Sequence, residues 1–177
     1  MPKAFLALII TLLRLVLRPM LADDEVLLLL GGNVGESHEY LREAEEKLAR
    51  ATGSVIARSR DHWTEPVGFK DDRLFLNRAL ILRTEKAPID LLEICLNIES
   101  EGGRIRTGSG EYGSRTLDID ILLYGNRVVE SSELQIPHPR LHERLFALSP
   151  AADICPDALH PTLHFTVLQL LSKISRS

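Results

Sequence analysis

Two aspartates separated by one residue form the strongest chemical signal in this sequence. They are Asp118 and Asp120, in Leu-Asp-Ile-Asp-Ile at residues 117–121. Because side chains alternate along a β-strand, both carboxylates are expected on one face, about 7 Å apart, with the apolar residues facing a core. Two hard oxygen donors suit Mg²⁺, which would also relieve the repulsion between them. The alternative is a solvated polar face, because isolated Asp-x-Asp pairs are common.

Three arginines precede this strand, around a glycine-rich loop: Arg104, Arg106 and Arg115. In a chain with a formal net charge of −4, such a cluster beside two carboxylates is more than solubilising charge. Guanidinium groups bind phosphate oxygens in a bidentate manner, and Mg²⁺ with arginine is a recurring combination in phosphoryl transfer. The alternative is a set of surface ion pairs with Glu99, Glu101 or Glu111.

A histidine held between two prolines is the third candidate. It is His138, and Arg144 and Phe146 follow it closely. The prolines would present the imidazole rigidly, so that it could donate a hydrogen bond to a phosphate or a ribose. An ordinary turn histidine is the alternative.

The charge of the chain is unevenly distributed. Lys3, Arg14 and Arg18 give residues 1–22 a charge of +3, which leaves −7 for residues 23–177. The acidic body excludes an ordinary basic nucleic-acid binder, and 45% apolar residues exclude a disordered chain. Cys95 and Cys155 predict two free thiols rather than a disulfide scaffold or a zinc site.

The elements that must position these residues alternate between strands and helices. Short apolar or alternating runs predict strands at residues 26–30, 54–63, 75–84 and 117–124. Apolar residues at helical spacing predict helices at residues 36–50 and 88–101. A hairpin is expected to join the last strand to residues 127–129, and helical stretches are expected near residues 141–148 and 165–174. This order predicts an α+β fold, a ferredoxin-like βαββαβ sandwich, with an antiparallel sheet, helices on one face and a C-terminal extension.

Residues 1–22 form an apolar, basic N-terminal extension, and residues 23–177 are predicted to form a single domain. Arg14 and Arg18 interrupt the apolar run too early for a membrane-spanning helix. Three interpretations stay open for the extension. Translation could begin at Met20, with the preceding residues untranslated or disordered; the segment could be a poorly cleaved secretory signal; or it could be an amphipathic helix on a membrane surface.

Six motifs, in this order, resemble one enzyme family. They are Gly-Gly-Asn at residues 31–33, Thr-Glu-Pro-Val-Gly at 64–68, Phe-Leu-Asn at 75–77, Glu-x-x-x-Gly-Arg-Ile-Arg at 99–106, Tyr-Gly-Ser-Arg-Thr-Leu-Asp-Ile-Asp-Ile-Leu at 112–122, and Pro-His-Pro with Arg-x-Phe at 137–146. Together they resemble the 6-hydroxymethyl-7,8-dihydropterin pyrophosphokinases of folate biosynthesis. The resemblance extends from about residue 26 to the last helix, and the motif at 112–122 is its most specific part.

The resemblance implies an activity and its partners. A diphosphate would pass from ATP to the hydroxymethyl group of the pterin, with release of AMP. The resemblance implies two Mg²⁺ ions, mobile loops, and ATP and hydroxymethyldihydropterin as small-molecule partners. We expect a cytoplasmic monomer that binds neither nucleic acid nor a membrane.

The same resemblance implies roles for individual residues. The catalytic set would be Arg104, Arg115, Asp118 and Asp120, with the two aspartates holding the metal. ATP would be bound by Glu99, Arg106, Tyr112, Ile121, His138 and Arg144. The pterin would be bound by Thr64, Pro66, Val67, Phe75, Asn77 and Phe146. The two phenylalanines would stack on the ring, and the asparagine would read its amide edge.

Five positions depart from the usual family pattern, and two of them are Ser114, where proline is frequent, and Phe75, where tyrosine is frequent and stacking is kept. Tyr112 stands where tryptophan is frequent, Glu111 where a basic residue is usual, and Leu96 where a glutamine commonly touches the nucleotide. These departures bear on ATP affinity rather than on the reaction. Two other functions stay open: a different Mg²⁺-dependent nucleotidyl or phosphoryl transferase, and a non-catalytic ligand-binding module of the same fold.

Overall fold

The computed structural model of the chain describes residues 21–102 and 113–176. These ranges leave out two arginines of the predicted cluster, Arg104 and Arg106, and two positions compared with the family pattern, Glu111 and Tyr112. The strands are β1 (Glu25–Gly32), β2 (Gly53–Arg58), β3 (His62–Thr64), β4 (Phe75–Thr84), β5 (Asp118–Tyr124), β6 (Val129–Glu130) and β7 (Gln135–Ile136). The helices are α1 (Ser37–Thr52), α2 (Pro88–Glu101), α3 (Leu145–Ile154) and α4 (Val167–Ile174), with a 3₁₀ turn at Leu141–Glu143. Within the described ranges, no helix is long and apolar enough to cross a bilayer.

The main sheet is antiparallel, with the strand order β2-β4-β1-β5. The central strand β1 pairs with β4 on one side and with β5 on the other, and β3 pairs with β4 next to β2. α1 connects β1 to β2, and α2 connects β4 to β5, so both helices cross over the sheet. This order confirms the predicted ferredoxin-like βαββαβ fold.

α1 and α2 pack on one face of the sheet. Leu41, Ala44 and Leu48 recur at helical spacing along α1 and are buried there. α2 begins at Pro88, because proline lacks the N–H that would have no partner in a first turn. Leu28 of β1 belongs to the same core.

The prediction of helices on one face alone is wrong. α3 and α4 cover the opposite face, where Leu27 and Leu29 of β1 join Leu148 and Leu170 in a second core. The reason is the composition of β1, whose uninterrupted apolar run would leave leucine in water if either face stayed open. Leu21 is buried in this second core as well. Because α3 and α4 both lie in the C-terminal extension, that extension supplies the second layer of helices.

The strand predicted at residues 54–63 is two strands, β2 and β3. Both pair with β4, and the break between them lies at Ser59. The Ser59 hydroxyl accepts the backbone N–H of Ala79 at 2.9 Å and donates to the carbonyl of Arg60 at 2.7 Å. The Ser59 hydroxyl thus replaces a backbone carbonyl as the acceptor for the Ala79 N–H, while the Ser59 N–H still donates to the carbonyl of Ala79 at 2.9 Å. The chain leaves the regular ladder after this residue.

The hairpin predicted between β5 and residues 127–129 is also wrong. β6 pairs with β7 instead of β5. A second turn, closed by Ser131, brings these two strands together, since its hydroxyl accepts the backbone N–H of Leu134 at 3.0 Å.

The two cysteines are buried free thiols, one in each core. Burial raises the pKa of Cys95 to about 12, and it does the same for Cys155. Both thiols are therefore protonated at neutral pH and behave as small apolar side chains.

Candidate active site

β5 brings the two aspartates to one face of the sheet, as predicted. Ile119 and Ile121 alternate with them, are each 5% exposed and belong to the first core. Asp118 lies opposite Gly31 of β1, near the end of the strand. The side chains of Asp118 and Asp120 are 25% and 29% exposed. The strand therefore holds two partly solvated carboxylates against a buried apolar backing.

Each aspartate is paired with an arginine from a different segment. Arg115, which precedes β5, donates through Nη1 to Oδ2 of Asp118 at 2.6 Å. Arg144, at the start of α3, donates through Nη1 to Oδ2 of Asp120 at 2.7 Å. We call these four side chains the carboxylate cluster. The fold thus brings together Arg115 and Arg144, which are 29 positions apart in the sequence.

The carboxylate cluster fits a divalent cation. Burial raises the pKa of Asp120, the neighbouring Asp118 charge raises it further, and Arg144 and Arg115 oppose both effects. Among the described residues, no three or more His, Cys, Asp or Glu side chains gather as a metal-ligand set. Two carboxylates suit Mg²⁺, because this ion keeps several water ligands and takes its remaining oxygens from substrate phosphates.

A pocket of about 360 Å³ lies beside the carboxylate cluster, and the predicted ATP residues Glu99, Ile121 and His138 line it. Glu99 is 2% exposed, and its Oε1 accepts the backbone N–H of Ile119 at 2.7 Å, so α2 holds β5 from behind. Leu96 also lines the pocket and adds apolar surface. The volume is in the usual range of small-ligand sites.

His138 is held as a neutral imidazole. Its backbone N–H donates to the carbonyl of Leu122 at 2.9 Å, and its Nδ1 accepts the backbone N–H of Arg140 at 3.1 Å. Burial lowers the pKa of His138 to about 4, and the charges of Arg144 and Arg140 add to this effect. Because Nδ1 is an acceptor, the ring proton lies on Nε2. His138 can therefore donate a hydrogen bond to a ligand without carrying a charge.

A second group of predicted residues lies where β3 meets β4. Thr64 is in register with Phe75, and Asn77 is 3% exposed. The Asn77 amide donates through Nδ2 to Oγ1 of Thr64 at 2.9 Å. A Cβ at Gly31 would lie 3.2 Å from Oδ1 of Asn77, so glycine leaves room for this amide. We call Thr64, Phe75 and Asn77 the amide cluster.

The two predicted stacking rings are both half-buried. Phe75 meets Phe69 edge-on, with 6.0 Å between the ring centroids. The ring centroid of Phe146 lies 5.5 Å from the guanidinium carbon of Arg144, which places this ring next to the carboxylate cluster. The two remaining predicted pterin residues are a half-buried proline and a valine that is 58% exposed, Pro66 and Val67.

Asn33 is a part of the site to which the sequence assigned no role. It is 5% exposed, its Oδ1 accepts the backbone N–H of Arg115 at 2.9 Å, and its Nδ2 donates to Oγ of Ser114 at 3.3 Å. Gly32 permits this approach, because a Cβ there would overlap the carbonyl oxygen of Thr116. The Gly-Gly-Asn motif marks this position in the sequence, but it does not reveal which residues Asn33 contacts.

Asp71 connects the loop at residues 65–74 to the same segment. Its Oδ2 accepts a short hydrogen bond from Oγ of Ser114, and its Oδ1 accepts from Nε of Arg73 at 3.0 Å. The hydrogen bonds from Arg73 and Ser114 hold the pKa of Asp71 well below its usual range. No local pattern predicts this contact, since 43 positions separate Asp71 from Ser114.

Paired carboxylates and guanidinium groups beside a pocket, on a ferredoxin-like fold, define a site of the phosphoryl-transfer class. The sequence model of the family described as 7,8-dihydro-6-hydroxymethylpterin-pyrophosphokinase matches residues 27–156. The chain belongs to this family.

Individual relatives agree with the family match. A 2-amino-4-hydroxy-6-hydroxymethyldihydropteridine pyrophosphokinase of Bacillus subtilis (strain 168) is 42% identical over 127 residues, which cover 71% of this chain and 75% of that protein. The protein of the same name from Methylorubrum extorquens is 43% identical over 129 residues, covering 72% and 80%. The solved structure of Plasmodium falciparum HPPK-DHPS wild type with pteroate is similar at a TM-score of 0.68 and 15% identity, covering 86% of this chain and 44% of that one. This chain thus spans less than half of that structure's chain, and the likeness concerns the fold alone.

Proposed function

We propose that the chain transfers the terminal diphosphate of ATP to the hydroxymethyl group of 6-hydroxymethyl-7,8-dihydropterin and releases AMP. The observation that carries this proposal is the carboxylate cluster beside the pocket, where groups that bind a cation meet groups that bind phosphate. In the reaction, the hydroxymethyl oxygen forms a bond to the β-phosphorus. The bond from the β-phosphorus to the oxygen bridging it to the α-phosphorus breaks, and the hydroxyl proton is released.

In this proposal, four arginines bind the phosphate groups and neutralise their negative charge. Arg115 and Arg144 bind phosphate oxygens, and Arg104 and Arg106 are proposed to join them. Planar guanidinium groups balance the charge that builds on the departing AMP.

Asp118 and Asp120 would hold the metal, with two Mg²⁺ ions expected from the resemblance. When bound, Mg²⁺ screens the phosphate charge and polarises the phosphorus–oxygen bonds. The aspartates themselves contribute a fixed position, because β5 is paired to β1 on one side and braced by Glu99 through Ile119.

The nucleotide is placed by the pocket. His138 donates from Nε2 to a phosphate or ribose oxygen, and Ile121 contributes apolar lining. Glu99 acts from behind, by holding β5. Tyr112 is proposed as a further nucleotide contact.

The amide cluster binds the pterin in this proposal. The buried Asn77 amide, already oriented by Thr64, reads the donor and acceptor edge of the ring. Phe75 and Phe146 stack on the flat heterocycle, and the backbone near Pro66 and Val67 contributes to reading its amide edge. Because a single chain supplies both clusters, we expect a monomer, and the use of ATP favours the cytoplasm.

A product assay tests the reaction. The protein is incubated with Mg²⁺, ATP and 6-hydroxymethyl-7,8-dihydropterin, and the nucleotide product is identified by chromatography. We expect AMP and the pterin diphosphate in equal amounts, and neither without the pterin or with a chelator. Formation of ADP, or nucleotide turnover that ignores the pterin, would contradict the proposal.

A further inference from the structure

The arginines of the carboxylate cluster occupy oxygens that a cation would need. We propose that Arg115 and Arg144 act as internal counter-ions, so that the aspartates reject free Mg²⁺ and accept it only together with the phosphates of the nucleotide. This inference rests on the proposed function, since it concerns how the same site selects a metal–nucleotide complex over the metal alone.

The geometry gives both arginines a strong hold on the carboxylates. Each ion pair is short, at 2.6 Å for Arg115 with Asp118 and 2.7 Å for Arg144 with Asp120. The two guanidinium side chains are only 18% and 12% exposed. A cation that displaced them would leave two largely buried positive charges without these carboxylates, which is costly in a partly desolvated site.

The phosphates of a nucleotide change this balance. A guanidinium group that leaves a carboxylate can bind phosphate oxygens in a bidentate manner, with a bond as strong as the one it gave up. The two carboxylate oxygens that the guanidinium groups release can then bind the metal that the nucleotide brings. Every charged group ends with a partner of opposite sign, so the metal and the nucleotide must favour each other's binding to the same degree.

An ion pair far from the site provides a matched control. Arg83 donates to Oε1 of Glu25 at 2.9 Å, at the opposite end of β1 from the carboxylate cluster. Arg83→Gln removes the same single charge as Arg144→Gln. It therefore separates a change in net charge from the loss of a counter-ion at the site.

The experiment measures two affinities. Binding of Mn²⁺ alone is followed by electron paramagnetic resonance up to millimolar concentrations, and binding of α,β-methylene-ATP with Mg²⁺ is followed by calorimetry. We expect Arg144→Gln and Arg115→Gln to bind Mn²⁺ alone roughly three- to tenfold more tightly than the wild type. The same variants should bind the nucleotide complex at least about tenfold more weakly. Arg83→Gln should change neither affinity.

The inference requires the affinity for Mn²⁺ alone to rise while the affinity for the nucleotide complex falls. Unchanged or weaker Mn²⁺ binding in both arginine variants would overturn it, and so would an equal gain in Arg83→Gln. Arg144→Lys keeps the positive charge and should therefore bind Mn²⁺ as weakly as the wild type. This variant can still be measured if Arg144→Gln does not fold. Adding Asp120→Asn to Arg144→Gln must abolish the gain, because a gain that persists places the ion elsewhere.

The inference and the proposed function can fail separately. A wild-type protein that makes no AMP in the product assay would refute the function, and the Mn²⁺ affinities would still report on the counter-ions. A protein that makes AMP but shows no gain in Mn²⁺ affinity would refute the inference alone.

Discussion

The carboxylate cluster is held together by charge, whereas the amide cluster is held by neutral hydrogen bonds and packing. In the first, Arg144 reaches Asp120 from the start of α3, and Arg115 reaches Asp118 from three positions earlier in the chain. In the second, the 3% exposed Asn77 is oriented through β3 and β4, two strands that pair directly. In the proposed function, the first would exchange partners when a polyphosphate binds, whereas the second already holds an oriented amide for a planar ligand.

In the proposed function, this difference separates a chemical role for the carboxylate cluster from a binding role for the amide cluster. Charges that are exchanged on binding act on bond breaking and on metal selection. A fixed amide acts on the affinity and choice of the ring, because a buried group that loses its partner is penalised. Substitutions in the two clusters should therefore change different kinetic constants.

The largest effect is expected from Asp120→Asn, which keeps the shape of the side chain and removes its charge. Because the carboxylate cluster would lose a metal ligand, kcat for AMP formation should fall by roughly 10³-fold. The affinity for the pterin, measured by calorimetry, should stay near the wild-type value. Asp157→Asn, at an exposed position after α3, is the matched control and should keep full activity. A variant that kept more than about a tenth of the activity would remove Asp120 from the proposed machinery.

Asn77→Leu should produce the next largest effect, confined to the pterin. Loss of the amide should raise KM for the pterin by roughly 10- to 100-fold and leave KM for ATP unchanged. Thr64→Val removes only the hydroxyl that accepts from Asn77, so its effect should have the same direction and be smaller. Initial-rate kinetics with each substrate varied in turn measures both constants. A parallel rise in KM for ATP would show that the two clusters are not independent.

Asp71→Asn tests the contact between the loop at residues 65–74, which flanks the amide cluster, and the segment next to the carboxylate cluster. Asp71 joins the loop at residues 65–74 to Ser114, next to Arg115, so weakening this contact should affect both substrates. KM for each substrate should rise by roughly fivefold. Asp72→Asn changes the exposed neighbouring residue and should leave both constants unchanged. An effect on one substrate only would contradict the connection.

The smallest effect is expected at the contact between β3 and α3, where a carboxylate makes the free energy of unfolding depend on pH. Oδ1 of Asp153 accepts from Arg60 at 3.0 Å, and its Oδ2 lies 2.8 Å from Nε2 of His62. The hydrogen bond from Arg60 and, after it, His62 lower the pKa of Asp153 to about 2. A folded-state pKa below the unfolded value stabilises the protein above the unfolded pKa, and this contribution is lost as the pH falls from about 4 to about 2.

Asp153→Asn should therefore lower the free energy of unfolding at pH 6 by at most about 1 kcal/mol and flatten its decline in acid. Urea unfolding at several pH values between 6 and 2.5 measures this slope. Asp157→Asn should keep the wild-type slope. Equal slopes for Asp153→Asn and the wild type would contradict the assignment.

Regular patterns made much of the fold predictable. The alternation in β5 and the helical stripe of Leu41, Ala44 and Leu48 both follow from side-chain periodicity, which is a local property. Two of the errors arose where a side chain replaces a backbone partner, at Ser59 between β2 and β3 and at Ser131 before β7. Such hydrogen bonds depend on which strand lies alongside, and periodicity does not contain that information.

The sequence by itself determined the chemistry available to this protein: two carboxylates on one strand face, arginines near them, a histidine between prolines, and motifs that resemble one family. Only the tertiary structure decided which arginine pairs with which aspartate, that helices cover both faces of the sheet, and that Asn33 and Asp71 reach Ser114. The physical reason is that residue types and their periods are local, whereas most of these contacts, with Arg115–Asp118 as the exception, join segments far apart in the chain. Burial of the apolar strands is what brings those segments together.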